Sequence, residues 1–261
     1  MTEKILIDRT GTVARITFNN PEKRNAMSLE MWQGLIDALE GLADDQGLRA
    51  LVLRGAGGKA FVSGADISKF GSERSSAESV AEYERITDEA QQRLAAFPVP
   101  TIAQIDGWCI GGGLAIAVAC DIRVCGISAR FAIPAAKLGV GYGLFGVGRL
   151  VELVGPAMTK EIFFTARQLD AAEALRIGLV NRMVEDGEVA STAREFATTI
   201  AANAPLTIRS IKTITAQALL DADGRDPAFC AKLVADCFAS EDYAEGRRAF
   251  LEKRQPVFRG K

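Results

Sequence analysis

Three observations predict an α/β fold with a helix-rich C-terminal end. Short apolar strands alternate with glycine-containing loops and helices up to about residue 186, the signature of stacked strand–helix units. Beyond that point the pattern is helical alone, with no comparable strand. The 261 residues are 48% apolar and 25% charged, enough to bury one large core and inconsistent with disorder.

The elements follow in order. Ile5 to Ile7, a turn near Thr10-Gly11, and Val13 to Phe18 read as a β-hairpin. Ser28 is placed to cap a helix carrying Leu29, Trp32, Leu35, Ile36, Leu39 and Leu42 on one face. Arg49 to Arg54 is a short strand, followed by the loop Gly55-Ala56-Gly57-Gly58. Tyr83 and Glu84 lie in a following helix and are expected on its solvated face; Pro98 and Pro100 end it, and Thr101 to Ile105 is a buried strand. Gly111-Gly112-Gly113 opens an apolar helix, and Asp121 to Val124 starts another strand. Glu195 to Asn203, Leu206 to Leu220, Asp226 to Ala239 and Glu241 to Arg254 are the C-terminal helices. The expected division is a core over 1–195 and a helical region over 196–261.

Composition removes several kinds of chemistry. The chain has no histidine, which excludes Ser-His and Cys-His nucleophile pairs, His-ligated zinc and the commonest proton carrier of enzymes. Proton transfer is left to Asp, Glu, Lys, Tyr, Cys or water. A net charge of −2 provides no basic field for nucleic acid. The longest uncharged apolar stretch, Trp108 to Cys120, is too short to span a bilayer, so no membrane partner is expected. Five cysteines without a C-x-x-C pair argue against a disulfide framework and a thiolate metal site; no metal is expected, and Cys109 reads as a core residue. No signal peptide precedes the hairpin, and the expected location is cytoplasmic.

Two glycine patterns imitate phosphate sites and fail. Gly141-Tyr142-Gly143-Leu144-Phe145-Gly146 fits G-x-G-x-x-G but does not close the first strand of a βαβ unit. Gly57-Gly58-Lys59 lacks the Ser/Thr and leading glycine of a P-loop. More informative are Ser63-Gly64-Ala65-Asp66 and Gly111-Gly112-Gly113, each a turn after a strand that can expose backbone N–H groups. The second opens a helix, where unpaired amides and the dipole favour an anionic oxygen. Taken alone, a triple glycine is better read as permitting tight turns and close packing.

Four ordered segments carry a family resemblance: Asn19-Asn20-Pro21-Glu22-Lys23-Arg24-Asn25-Ala26, Phe61 to Ile67, Ile105 to Gly113, and Ala171 to Val180. Together they resemble the enoyl-CoA hydratase/isomerase (crotonase) superfamily over nearly the full chain. The resemblance implies a spiral of ββα units with a helical C-terminal trimerisation region, assembled as a homotrimer or homohexamer. It also implies an acyl-CoA substrate whose thioester oxygen is bound by the N–H groups of Ala65 and Gly112. No separate cofactor is implied, coenzyme A being part of the substrate. Lys23, Arg24, Ala26, Ala65, Asp66, Ile67 and Lys69 would hold the coenzyme, with Lys253 contributed by a neighbouring subunit. An Asp after such a turn more often caps the following helix than touches substrate.

The chain departs from the hydratases where their two glutamates stand: Ala115 after the triple glycine, and Ala135 after Pro134. Alanine can neither activate water nor protonate a carbon. A thioester enolate can also form without proton abstraction, by loss of CO2 from a malonyl- or alkylmalonyl-CoA. The segments Leu138 to Gly146, Ser240 to Gly246 and Ala249 to Arg254 resemble methylmalonyl-CoA decarboxylase, a crotonase relative with a tyrosine matching Tyr142. Ala65 and Ala115 replace a histidine and a glutamate of that enzyme. Decarboxylation is therefore the leading expectation, with Tyr142 as hydrogen-bond donor or proton source. The alternatives are enoyl-CoA hydration or isomerisation with another acid/base, Tyr142 or Glu84, and a pseudoenzyme that binds acyl-CoA without turnover.

Overall fold

The computed structural model describes residues 2–73 and 75–261, with the backbone alone for Phe70 and Ser72. The N-terminal hairpin, β1 (Ile5–Thr10) and β2 (Val13–Phe18), leads to α1 (Leu29–Ala43), whose first turn is capped as expected by Ser28. Three strand pairs follow, each succeeded by helix. They are β3 (Ala50–Gly55) and β4 (Ala60–Val62) with α2 (Phe70–Glu73) and α3 (Ala77–Ala95); β5 (Thr101–Ile105) and β6 (Trp108–Ile110) with α4 (Gly112–Ala119); and β7 (Ile122–Gly126) and β8 (Arg130–Ala132) with α5 (Ala135–Leu138) and α6 (Leu144–Thr165). β9 (Leu169–Asp170), α7 (Ala171–Arg176) and β10 (Arg182–Val184) close the strand-bearing part. α8 (Val189–Ala202), α9 (Pro205–Leu219), α10 (Pro227–Ala239) and α11 (Glu241–Glu252) complete the chain.

Each ββ pair divides between two sheets. First strands join a six-stranded sheet in the order β1-β2-β3-β5-β7-β10, and second strands a four-stranded sheet in the order β4-β6-β8-β9. Within the smaller sheet β4, β6 and β8 run parallel, so their C-terminal ends lie side by side. This repeated division is the predicted spiral of ββα units. The expected domain boundary at residue 195 falls within α8, whose buried Val189, Ala193 and Ala197 pack on Ala50, Val52, Ile102 and Val124 of the larger sheet.

α4 is wholly apolar, and its carbonyl end meets a buried cation. Arg123, only 2% exposed, donates from Nε to Leu179 O at 2.8 Å and from Nη1 to Cys120 O at 2.7 Å and Ala117 O at 3.3 Å. A guanidinium at a helix C-terminus both satisfies orphan carbonyls and complements the dipole. At the opposite flank α1 and α3 pack together, and Trp32 Nε1 donates to the Tyr83 hydroxyl at 3.1 Å. This corrects the expected placement of Tyr83 on a solvated face: the residue is 6% exposed, because its ring completes the contact with α1.

Within the single chain α10 buries no residue, and Phe238, Phe250 and Leu251 are exposed. Among the described residues no helix is long and apolar enough to cross a membrane, and no group of three or more His, Cys, Asp or Glu could hold a metal ion.

Arg123→Met removes the donors to three carbonyls without reducing side-chain bulk severely. Loss of these charge-assisted bonds is expected to lower unfolding free energy by about 3 kcal/mol, read as a lower urea midpoint.

Candidate active site

The convergence of β4, β6 and β8 sets the site. β4 runs into Ser63-Gly64-Ala65, β6 into Gly111-Gly112, and β8 into Ile133-Pro134-Ala135. Gly64 (φ 109°) and Gly111 (φ 54°) adopt backbone conformations that side chains disfavour. The turns touch: a Cβ at Gly111 would lie 3.8 Å from Gly64 Cα and 4.0 Å from Pro134 Cδ. Gly113 is required for another reason, since a Cβ there would meet Val62 O at 2.1 Å. Two of the three consecutive glycines are thus explained by geometry, a turn and a close approach.

Gly112 is the first residue of α4 and has no acceptor for its N–H among the described residues; neither has Ala65. Both are half-buried. Around them the bonds are made: Gly111 N donates to Ala132 O, Met27 N to Gly64 O and Asp66 N to Met27 O, each at 2.8 Å. Two fixed, unpaired donors at adjoining turns, one at a helix N-terminus, can receive a single developing negative charge. Trp32 backs this arrangement, its Cζ2 lying 3.1 Å from where a Cβ of Gly112 would be.

Ala115 and Ala135 are buried beside these turns, each 6% exposed. Ala115 N bonds to Gly111 O, one helical turn back, and Ala135 begins α5 directly after Pro134. The positions where hydratases carry carboxylates are therefore in the site and apolar. The Tyr142 hydroxyl comes within 3.9 Å of the Cβ position of Gly111, and its ring packs edge-on against Phe163 at 5.0 Å. Tyr142 is thereby brought to the same point as Gly64, Gly111 and Pro134.

Lys23, Asp66 and Ser68 form a linked group at the mouth of the β4 turn. Lys23 Nζ donates to Asp66 Oδ2 at 2.7 Å and Ser68 Oγ at 2.8 Å, and Ser68 N donates to Asp66 Oδ1 at 3.2 Å. Asp66 caps the 3₁₀ turn Ile67–Lys69, as the capping alternative has it. Burial pushes its carboxyl pKa up, but the bonds from Lys23 and Ser68 outweigh this and leave it below the usual value. Arg24, with φ 51°, stacks its guanidinium 5.9 Å from the Trp108 ring; Ala26 is buried, and Ile67 and Lys69 are exposed. Lys253 follows the last residue of α11, which packs on α10. Burial holds the Cys109 thiol well above its ordinary pKa, so it stays a protonated core group.

The sequence directed attention to Glu84, but it is exposed, whereas Asp88 one turn later faces the Tyr142 segment. A Cβ at Gly143 would meet Asp88 Oδ2 at 3.0 Å and Oδ1 at 3.3 Å. The i, i+4 spacing of two acids on one helix was the available signal; which of them faced the site depended on the docking of α3. Trp32, read as a core position of α1, also lies against Gly112.

A family profile described as Enoyl-CoA hydratase/isomerase matches residues 8–261. The chain is 36% identical to the short-chain-enoyl-CoA hydratase of Clostridium acetobutylicum over 251 residues, covering 96% of this chain and 95% of that protein. It is 33% identical to the crotonyl-CoA hydratase of Syntrophomonas wolfei over 256 residues, 98% of each. The crystal structure of an enoyl-CoA hydratase/carnithine racemase from Magnetospirillum magneticum superposes with a TM-score of 0.93 at 38% identity, covering 100% of this chain and 97% of that one.

A carboxyl with a depressed folded pKa stabilises the protein above its unfolded pKa and loses that contribution as pH falls through the folded value. For Lys23→Met, removal of the ammonium is expected to raise the Asp66 titration and shift its acid-side loss of stability to higher pH. Carboxyl carbon-13 NMR titration reads the first effect, and urea unfolding between about pH 2 and 5, a span that reaches below the ordinary Asp value of ~3.9, the second.

Proposed function

The chain belongs to the enoyl-CoA hydratase/isomerase family, and from that premise we propose that it stabilises the enolate of an enoyl-CoA thioester while adding water to, or shifting, the double bond. The observation that carries this reading is the pair of unpartnered N–H groups of Ala65 and Gly112 at touching turns. Placed on the thioester oxygen, they act as an oxyanion hole: charge that develops there during addition meets donors already fixed by the backbone. Each such donor is worth about 10²–10³ in rate. Buried Ala115 and Ala135 line the site with apolar surface, which strengthens these dipoles by excluding water. The Tyr142 hydroxyl is the proton donor to the α-carbon, supported by its approach to Gly111.

Lys23, Arg24, Ala26, Ile67 and Lys69 hold the coenzyme A end, with Lys253 supplied by another copy. The exposed apolar face of α10 and α11 supports assembly into a homotrimer or homohexamer through the C-terminal region. The whole-length relatives named as hydratases favour double-bond chemistry. A second reading, decarboxylation of a malonyl- or alkylmalonyl-CoA, is favoured by Ala115 and Ala135, because departing CO2 leaves its electrons in the enolate and no base is needed.

Purified protein is incubated with crotonyl-, malonyl-, methylmalonyl- and ethylmalonyl-CoA while enoyl absorbance and CO2 release are followed. Loss of the crotonyl-CoA chromophore is expected. CO2 release without crotonyl-CoA turnover would establish the second reading, and calorimetric binding without any turnover would identify a pseudoenzyme. Gly112→Pro deletes one donor at a helix position that accepts proline, Trp32 being the neighbour that must yield. It is expected to lower kcat/KM by about 10²–10³ in a folded protein, and unchanged kcat/KM would refute the hole.

A further inference from the structure

Hydration requires two proton transfers. One proton leaves the attacking water and one reaches the α-carbon; Tyr142 accounts for the second, and the alanines at 115 and 135 account for neither. We propose that Asp88, carried by α3 and lying against Gly143 beside Tyr142, is the general base that takes the proton from water. This rests on the hydratase reading above and deepens it.

Three observations carry the assignment. The Asp88 carboxylate borders the turn holding Tyr142, with Oδ2 3.0 Å and Oδ1 3.3 Å from the Cβ position of Gly143. The Tyr142 hydroxyl approaches Gly111, immediately before the N–H of Gly112. Base and donor thus flank one turn, the donor directed to the thioester oxygen site. Among the described residues no cation pairs with Asp88. Arg85, the nearest base in sequence, is engaged by Glu82 and Glu89, and no hydrogen bond or ion pair reaches Asp88 among the described residues. A structural carboxylate half-withdrawn from water would ordinarily be paired.

Among the described residues the charged group acting on it is Glu84 on its own helix, and the element against it is the N-terminus of α6, whose cap Gly143 follows Tyr142 and offers no side chain. Burial first, and the charge of Glu84 second, push the Asp88 carboxyl above its ordinary pKa. A carboxylate whose pKa is raised is a stronger base once ionised. In the step, Asp88 removes a proton from water as the water oxygen bonds to C3. The C2–C3 π pair moves into the enolate at the hole, and Tyr142 protonates C2. The Asp88 proton then returns to the Tyr142 phenolate through solvent. The sum is addition of one water, with both side chains restored.

The test uses the full-length protein with crotonyl-CoA. Asp88→Asn is expected to lower kcat by about 10²-fold or more, with KM changed by less than about threefold. The acid limb of its kcat/KM profile should disappear. Gly143→Ala, whose methyl would displace the carboxylate without removing charge, is expected to lower kcat by about tenfold with the same fold and thermal midpoint. Asp88→Asn and Gly143→Ala both within about threefold of the unaltered protein would overturn the assignment while leaving the hydratase reading intact. No crotonyl-CoA turnover by the unaltered protein would overturn both. If Asp88→Asn does not fold, the Gly143→Ala rate and the acid limb of the unaltered protein decide: a drop with a limb above the ordinary Asp value supports the assignment, and no drop overturns it.

Discussion

Parallel pairing of β4, β6 and β8 is the constraint on which the rest depends. Each strand contributes little on its own, since each is three residues long. Parallel alignment brings three strand C-termini to one edge, where open α/β folds characteristically place ligands. The turns that follow then meet without a long excursion. Gly113 permits the approach of α4 to β4, for any Cβ there would strike Val62 O. The free N–H of Gly112 results from the same packing: the helix begins where the sheet ends, and its first amide has no earlier carbonyl to bond.

Around that frame, under the proposed function, the chain would separate two tasks that a carboxylate-bearing site combines. Charge stabilisation is assigned to backbone donors held by α4, which Arg123 anchors at its other end. Proton transfer is assigned to side chains from segments outside the parallel sheet, Tyr142 before α6 and Asp88 on α3. Ala115 and Ala135 add only small, buried apolar side chains there. α3 has a double duty, because Tyr83 ties it to Trp32 behind Gly112 while Asp88 meets the Tyr142 turn.

Much of this was legible in the sequence. The hairpin, the Ser28 cap, the apolar α4 and the four C-terminal helices each rest on local periodicity or capping chemistry, which one segment can report by itself. The two turns proposed to form the hole were legible as glycines after strands, and the family resemblance implied their pairing. What was not legible depended on docking. Tyr83 looks like a polar aromatic on a charged helix until α1 provides its partner. Asp88 is one of several acids on α3, and only the packing of that helix against residues 142–146 distinguishes it from Glu84. The split of each ββ pair between two sheets likewise arises from tertiary register, not from strand propensity.

The central claim, that the backbone polarises a thioester carbonyl, is tested most directly by infrared spectroscopy of a CoA thioester labelled with carbon-13 at the carbonyl. The account predicts that binding moves the labelled stretch to lower frequency than in water, because two fixed donors lengthen the C=O bond. A bound thioester whose stretch is unshifted, or moves to higher frequency, would contradict it.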